Sequence, residues 1–324
     1  MKALIQIGYD SVEALEFAEV ERPVPAADQV LVKVFATAIN DWESSLLAVP
    51  WAVRPFVGLR KPRRRFRIPG CDVAGRIEAV GGRVVRFKPG DEVYGDLSDG
   101  FRFGAFAEYV CAGERSLAHK PAAMSFTQAA AIPHAAELAL QALQAAPPLQ
   151  PGHHVLVNGA GGGVGTLAIQ LMKPHGVETT GVDSAEKLGL LRSLEYDHVI
   201  EYPKNDFTRL GKPYDLILDT KTSHSVRALT RVLRPGGAYI TVGGDKLGSV
   251  VLFGAAVGRF TGKRLKVVRL KPNKNLVHIS RLFESGSLAP VIDQVFEFTE
   301  IRAALSRFRR AEHRGKIVIE VARA

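Results

Sequence analysis

The run Asn158-Gly159-Ala160-Gly161-Gly162-Gly163-Val164-Gly165 is the stretch whose residue types most plainly do chemistry. An apolar strand, Val155-Leu156-Val157, leads into a turn so rich in glycine that its backbone can approach a bulky anion. The apolar-periodic helix that follows opens with N–H groups that have no partner inside the helix. Ala160, Gly161, Gly162, Gly163, Val164 and Gly165 therefore read as a cradle for the pyrophosphate of a dinucleotide. The third glycine of a G-x-G-x-x-G fingerprint falls one residue late, at Gly165, so the loop carries an inserted glycine. Asp183 ends the next apolar strand at about the ~20-residue distance at which an acidic residue meets the adenosine ribose. A carboxylate there accepts hydrogen bonds from the ribose diol. It would repel a 2′-phosphate by on the order of 4 kcal/mol at about 4 Å and an effective dielectric near 20. Taken alone, Asp183 favours NADH.

The elements that position this loop alternate between strand and helix. Val177 to Val182, His198 to Tyr202, Tyr214 to Asp219 and Ala238 to Gly243 read as strands, with Ala185 to Leu194 and Ser223 to Leu233 as the helices between them. Runs such as Leu216-Ile217-Leu218 suit strands buried on both faces of a parallel sheet, the doubly wound Rossmann architecture. Before it, roughly the first 120 residues are β-rich, with turns at Pro23-Val24-Pro25, Gly81-Gly82 and Lys88-Pro89-Gly90-Asp91. Leu46 to Arg67 departs from that pattern as a helix-loop excursion. Ser125 to Ala145 reads as a helix capped by Ser125 and broken or kinked at Pro133. After about residue 262 come a strand (Leu265 to Leu270), a helix (Asn273 to Ser285), a strand (Val291 to Phe298), a helix (Glu300 to Arg310) and a closing strand at 316–321, a tail too small for a core of its own.

At 324 residues the chain has room for two domains. No apolar run approaches the roughly 18 residues of a membrane span, and the N-terminus alternates like a strand, so a cytoplasmic location is the expectation. Cys71 and Cys111 are the only cysteines, which excludes a disulfide framework and a four-cysteine zinc site. The net charge of +10 is concentrated at 54–67 and 259–274, neither of which holds an acid. Both clusters read as solvated faces; Trp51, Phe56 and Phe66 flank the first but follow no recognisable RNA-binding pattern.

Several motifs in order carry a resemblance: Gly70-Cys71-Asp72-Val73-Ala74-Gly75 with Glu78-Ala79-Val80-Gly81, Pro89-Gly90-Asp91-Glu92-Val93, Gly104-Ala105-Phe106-Ala107-Glu108-Tyr109-Val110, the glycine loop, and Gly315-Lys316-Ile317-Val318. Together they resemble the medium-chain dehydrogenase/reductase superfamily, and within it the zinc-independent quinone oxidoreductase-like branch. The resemblance implies an α/β chain in which a GroES-like β-rich catalytic domain, residues 1–122 and 263–324, carries an inserted Rossmann NAD(P)-binding domain, residues 123–262. It further implies a cleft for nicotinamide and substrate, and a homodimer.

Carried over residue by residue, the family's catalytic zinc ligands fall on Asn40, Cys71 and His134, with Asp72 beside the second. A neutral amide is a poor zinc ligand, so the expectation is a cleft with no metal; Cys71, His134 and Asp72 are the set that could hold one. Relatives that use NADPH hold the 2′-phosphate with residues matching Ser184, Lys187 and Tyr202, which leaves NADPH or NADH open against Asp183. Val242, Gly243 and Lys316 complete the implied cofactor contacts. Without a Lewis acid, the implied reaction is hydride delivery from NAD(P)H to a quinone or an α,β-unsaturated carbonyl, with Asn40, Asp41 and His134 as the polar residues near the substrate. An alcohol or aldehyde oxidoreductase of the same fold is the alternative, and a non-enzymatic NAD(P)H-sensing or RNA-binding protein the second. Segment 46–67 is the expected seat of substrate individuality; it could cover the cleft, dock an acidic partner or lie against anionic lipid.

Overall fold

The computed structural model describes residues 1–99, 102–244 and 246–323. Two compact units divide the chain, Met1–Glu137 with Lys271–Ala324, and Leu138–Leu270.

In the first unit, Gln29–Ala38 is the strand on which the rest is built. It pairs antiparallel with Asp72–Val80, Tyr109–Gly113 and Lys316–Glu320. The spatial order runs Ile292–Glu297, Lys316–Glu320, Gln29–Ala38, Asp72–Val80, Glu92–Asp96, Ala118–His119. Val30, Val32 and Val34 alternate into one apolar cluster with Val73, Ile77 and Val93, as the period of two in a strand requires. A second cluster forms where Ile39 and Leu47 meet Ile301, Leu305, Ile317 and Ile319 from the end of the chain. The C-terminal tail thus closes the sheet begun near the N-terminus. Ser125 caps the helix Phe126–Ala130 through the Gln128 N–H, and Pro133 opens a second helix, Pro133–Ala145. The excursion at 46–67 follows the helix Asp41–Leu47 and contains a single turn at Arg54–Val57 and a tight turn at Arg64–Phe66. Trp51, Phe56 and Leu59 stand exposed on it.

The second unit is a six-stranded parallel sheet in the order His198–Glu201, Glu178–Asp183, His154–Asn158, Tyr214–Asp219, Leu233–Thr241, Arg264–Val267. The first of these strands in the chain, His154–Asn158, is central, and the chain crosses back over it between His198–Glu201 and Tyr214–Asp219. That reversal opens a crevice at the carboxyl ends of the strands.

The units divide later than the sequence suggests, after Glu137 rather than after residue 122, and after Leu270 rather than after 262. His134 is bonded into the first unit by Asp72 and Asp96, which carries the start of its helix with it. Arg264–Val267 pairs with Leu233–Thr241 and so belongs to the parallel sheet. The helix Leu247–Thr261 was not anticipated at all.

Candidate active site

In the parallel-sheet unit, four strand ends converge on the crevice. Asn158 leads into Gly159, whose φ of +81° belongs to the left-handed region that glycine occupies freely. The helix Gly163–Met172 then begins with Gly162 as its N-cap. A Cβ on Gly165 would lie 2.5 Å from both Cα and O of Ala160, so only glycine lets the first helical turn pack onto the loop and aim its N–H groups outward. This cradle fits a dinucleotide pyrophosphate.

Asp183 is turned into the loop. Its carboxylate accepts from the N–H of Gly161 at 2.8 Å and of Ser184 at 2.9 Å, and pairs with the Lys187 ammonium at 3.5 Å. Lys187 is buried, not a surface lysine, while Tyr202 is 59% exposed. The two residues expected to compete over the ribose are thus tied to each other. Asp219, buried at the end of Tyr214–Asp219, accepts from Asn158, from the N–H groups of Lys221 and Thr222, and from the Tyr239 hydroxyl. The Asp219 backbone carbonyl accepts the Val242 N–H, which ties down the segment that carries Val242 and Gly243. An acid closing a buried parallel strand was the signal that could have found it, as it found Asp183.

The first unit holds a second constellation, a buried polar cluster of Asn40, Glu43, Cys71, Asp72, Asp96, His134 and Lys316. Asn40 precedes the helix Asp41–Leu47, and Glu43 reaches back to accept its N–H at 2.8 Å, the reciprocal arrangement of a capping box. The other Glu43 oxygen accepts from the Cys71 N–H at 2.9 Å. Burial pushes the Glu43 carboxyl up to about 7. The Asn40 side-chain amide donates to Cys71 Sγ at 3.2 Å and to Asp72 Oδ2 at 2.9 Å, and its oxygen accepts from the Lys316 ammonium. Lys316 also pairs with Asp72 at 3.3 Å. Burial lifts the Asp72 carboxyl above its ordinary range although Lys316 opposes it. His134 donates its backbone N–H to Asp72 and sets Nδ1 2.8 Å from Asp96 Oδ2. Burial alone would raise Asp96 and lower His134. Their mutual attraction reverses both, leaving the carboxyl below and the imidazole above its usual value.

Whether this cluster suits zinc turns on its donors. Cys71 Sγ, a ring nitrogen of His134 and an Asp96 oxygen lie within 4.8 Å of one another. His134 Nδ1 and Asp96 satisfy each other as an ion pair. Burial, and then the charges of Glu43, Asp96 and Asp72, drive the Cys71 thiol well above its ordinary pKa. The Lys316 ammonium already lies in the cluster, where a dication would meet it as a like charge.

Of the expected catalytic residues, His134 and Asn40 are brought together; Asp41 is exposed in the first turn of its helix. Asn40 itself has both N–H bonds and its oxygen taken up by neighbours, so it positions the cluster. Lys316, expected at the cofactor, is buried with its ammonium against Asn40 and Asp72. Glu43 was missed although Asn40-x-x-Glu43 has capping-box spacing. Asp96 ends a strand of the antiparallel sheet, and no local pattern marks it.

A glycine cradle on a parallel sheet in one unit, and a GroES-like sheet holding a buried polar cluster in the other, define a two-domain nicotinamide-dinucleotide oxidoreductase. A family described as alcohol dehydrogenase GroES-like domain matches residues 26–122, and one described as zinc-binding dehydrogenase matches residues 194–319. The chain is 34% identical to a 2-methylene-furan-3-one reductase of Solanum lycopersicum, over 98% of this chain and 79% of that protein. It is 31% identical to a chloroplastic NADPH-dependent alkenal/one oxidoreductase of Arabidopsis thaliana, with the same coverage. A quinone oxidoreductase structure from Coxiella burnetii superposes with a TM-score of 0.88 at 26% identity, covering 99% of both chains. The chain belongs to the medium-chain dehydrogenase/reductase superfamily, and it is an NAD(P)H-dependent oxidoreductase.

Proposed function

We propose that this chain reduces the conjugated double bond of an α,β-unsaturated carbonyl or a quinone without zinc, with His134 as the proton source. Bound NAD(P)H supplies the hydride. The observation that carries the reading is the His134–Asp96 pair inside a cluster whose positive charges are its own side chains. A conjugated carbonyl takes up the charge brought by the hydride on its own oxygen and needs a proton donor or a hydrogen bond, not a Lewis acid. Nδ1 is held by Asp96, which leaves Nε2 to give the proton, while the carboxylate sustains the charged form of the ring. Asn40, Glu43, Asp72 and Lys316 hold the imidazole and the adjoining thiol in place through the bonds described above. The relatives named for alkenals, a furanone and a quinone support the same substrate class.

The test is a panel of quinones, enones, enals and saturated aldehydes, read by loss of nicotinamide absorbance. Turnover confined to the conjugated compounds and quinones is expected. Equal turnover of saturated aldehydes would replace this reading with the alcohol/aldehyde one. Cofactor binding without turnover of any compound would point to a sensor.

A further inference from the structure

The carboxylate that holds His134 stands at the end of a strand, and the end of that strand is itself held by a side chain. Glu92–Asp96 pairs along one edge with Asp72–Val80, as far as Asp72 opposite Asp96. On the other edge the short strand Ala118–His119 pairs, among the described residues, only with Val93 and Tyr94. Leu97, next in the chain, donates its N–H to the Cys71 carbonyl. By strand alternation the Asp96 N–H and carbonyl face the other way, past the last pair of Ala118–His119, where they still need partners. The side chain of Asn273 takes both. Its Oδ1 accepts the Asp96 N–H at 2.8 Å and its Nδ2 donates to the Asp96 carbonyl at 2.7 Å, the exchange that an antiparallel partner residue would make. Asn273 has a φ of +60°, in the left-handed region that asparagine tolerates better than most residues.

The same turn holds the other half of the pair. Asn275 donates its backbone N–H to Glu137 Oε1 at 2.5 Å and its Nδ2 to Oε2 at 2.9 Å. Glu137 follows His134 by three residues on the helix Pro133–Ala145, and so lies on the same face of it. The helix Leu276–Glu284 starts directly after Asn275. Its Ser280 Oγ meets the Tyr94 hydroxyl at 2.7 Å, which anchors that helix to the strand bearing Asp96. The 2.8 Å contact between His134 and Asp96 is therefore spanned by one short turn, with an asparagine on the strand and an asparagine on the helix.

We propose that Asn273 and Asn275 are positioning residues for the reduction. Asn273 fixes the strand end that carries the Asp96 carboxylate, Asn275 fixes the helix that carries the His134 imidazole, and together they set the contact between the two. The inference rests on His134 as the proton source, and one arm of its test needs no turnover. Asn273→Gly deletes the amide and keeps a residue at ease with positive φ. Its kcat on an enone should fall about 10- to 100-fold, the scale of a reacting group displaced by about 1 Å, with KM and the Kd of NAD(P)H within about twofold. Asn275→Ala should act in the same direction. In a His134→Gln background Asn273→Gly should change kcat by less than about twofold, because its effect passes through the imidazole. The arm without turnover is the low-field proton resonance of His134 Nδ1–H, identified by its loss in His134→Gln; it should shift or vanish in Asn273→Gly. All assays run well below the melting temperature of each variant, which keeps unfolding out of the comparison. Three results would overturn the proposal: an unmoved resonance in Asn273→Gly, an undiminished kcat in that variant while His134→Gln is impaired, or a fall of equal size in the His134→Gln background. Wild-type kcat in His134→Gln itself would refute the proton-source reading instead. The resonance then decides the positioning alone, moved if the amides hold the pair and unmoved if they do not.

Discussion

Replacing Asp183 by serine isolates the choice between the two dinucleotides. In the wild type the Asp183 carboxylate lies under the glycine loop, bonded to the N–H groups of Gly161 and Ser184, and its ion pair holds the Lys187 ammonium at 3.5 Å. Asp183→Ser removes one negative charge from the ribose end and with it the carboxylate that pairs with Lys187. A 2′-phosphate about 4 Å from a carboxylate at an effective dielectric near 20 is repelled by about 4 kcal/mol, an upper limit of roughly a thousandfold. Counterions and the Lys187 pairing already present reduce that, so the ratio of kcat/KM for NADPH to that for NADH should rise on the order of 10- to 100-fold. Loss of the carboxylate also strips the buried Gly161 N–H of its acceptor, a cost of about 1–3 kcal/mol in unfolding free energy that denaturant titration will register separately. Asp183→Ser/Lys187→Met should forfeit most of the gain for NADPH. The assay is initial-rate kinetics with both cofactors on one enone. An unchanged ratio in Asp183→Ser, with both cofactors weakened alike, would refute the reasoning and leave Asp183 as a brace of the loop alone.

His134→Gln should reduce kcat by on the order of 10²- to 10⁴-fold while leaving the Kd of NAD(P)H, read by nucleotide fluorescence, within about twofold. Because Asp96 holds the His134 pKa above its ordinary value, the protonated donor persists to higher pH than in an unpaired imidazole. The wild-type kcat should then fall only as pH rises through that elevated value, and in Asp96→Asn the fall should move to lower pH; superimposable pH profiles would exclude His134 as the donor. Gly165→Ala forces a Cβ against Ala160 and should cost about 1–3 kcal/mol of stability together with dinucleotide affinity, measured by denaturation and fluorescence titration. Untagged protein should contain no stoichiometric zinc by elemental analysis and should lose no activity on dialysis against a chelator, whereas zinc retained at one per chain would overturn the ion-pair reading of the cluster.

What was legible in the sequence follows the range over which each signal acts. The glycine loop, the strand run Leu216-Ile217-Leu218 and the cap at Ser125 are local statements, because a tight turn, a doubly buried strand and a helix start each need particular residues in one place. Asp183 was legible as a position and illegible as a conformation. Strand periodicity places it at the carboxyl end, but the direction of its carboxylate depends on Lys187 and Gly161, neither of which a pattern couples to it. Asp41 is left exposed for the opposite reason. It neighbours Asn40 in the chain, yet a helix turns its first residue outward and its third back toward the cap, so Glu43 takes the buried position.

The helix Leu247–Thr261 escaped because sequence-based recognition rests on contrast between an apolar and a polar face. A segment apolar on both sides, with Gly248, Gly254 and Gly258 spaced through it, offers no period to count and a composition that lowers helix propensity. The missing polar face is the same fact that the structure displays as exposed Leu252 and Phe260. A helix seated by Val250 and Val257 on its own sheet needs no apolar outer face for folding, and exposing one invites aggregation.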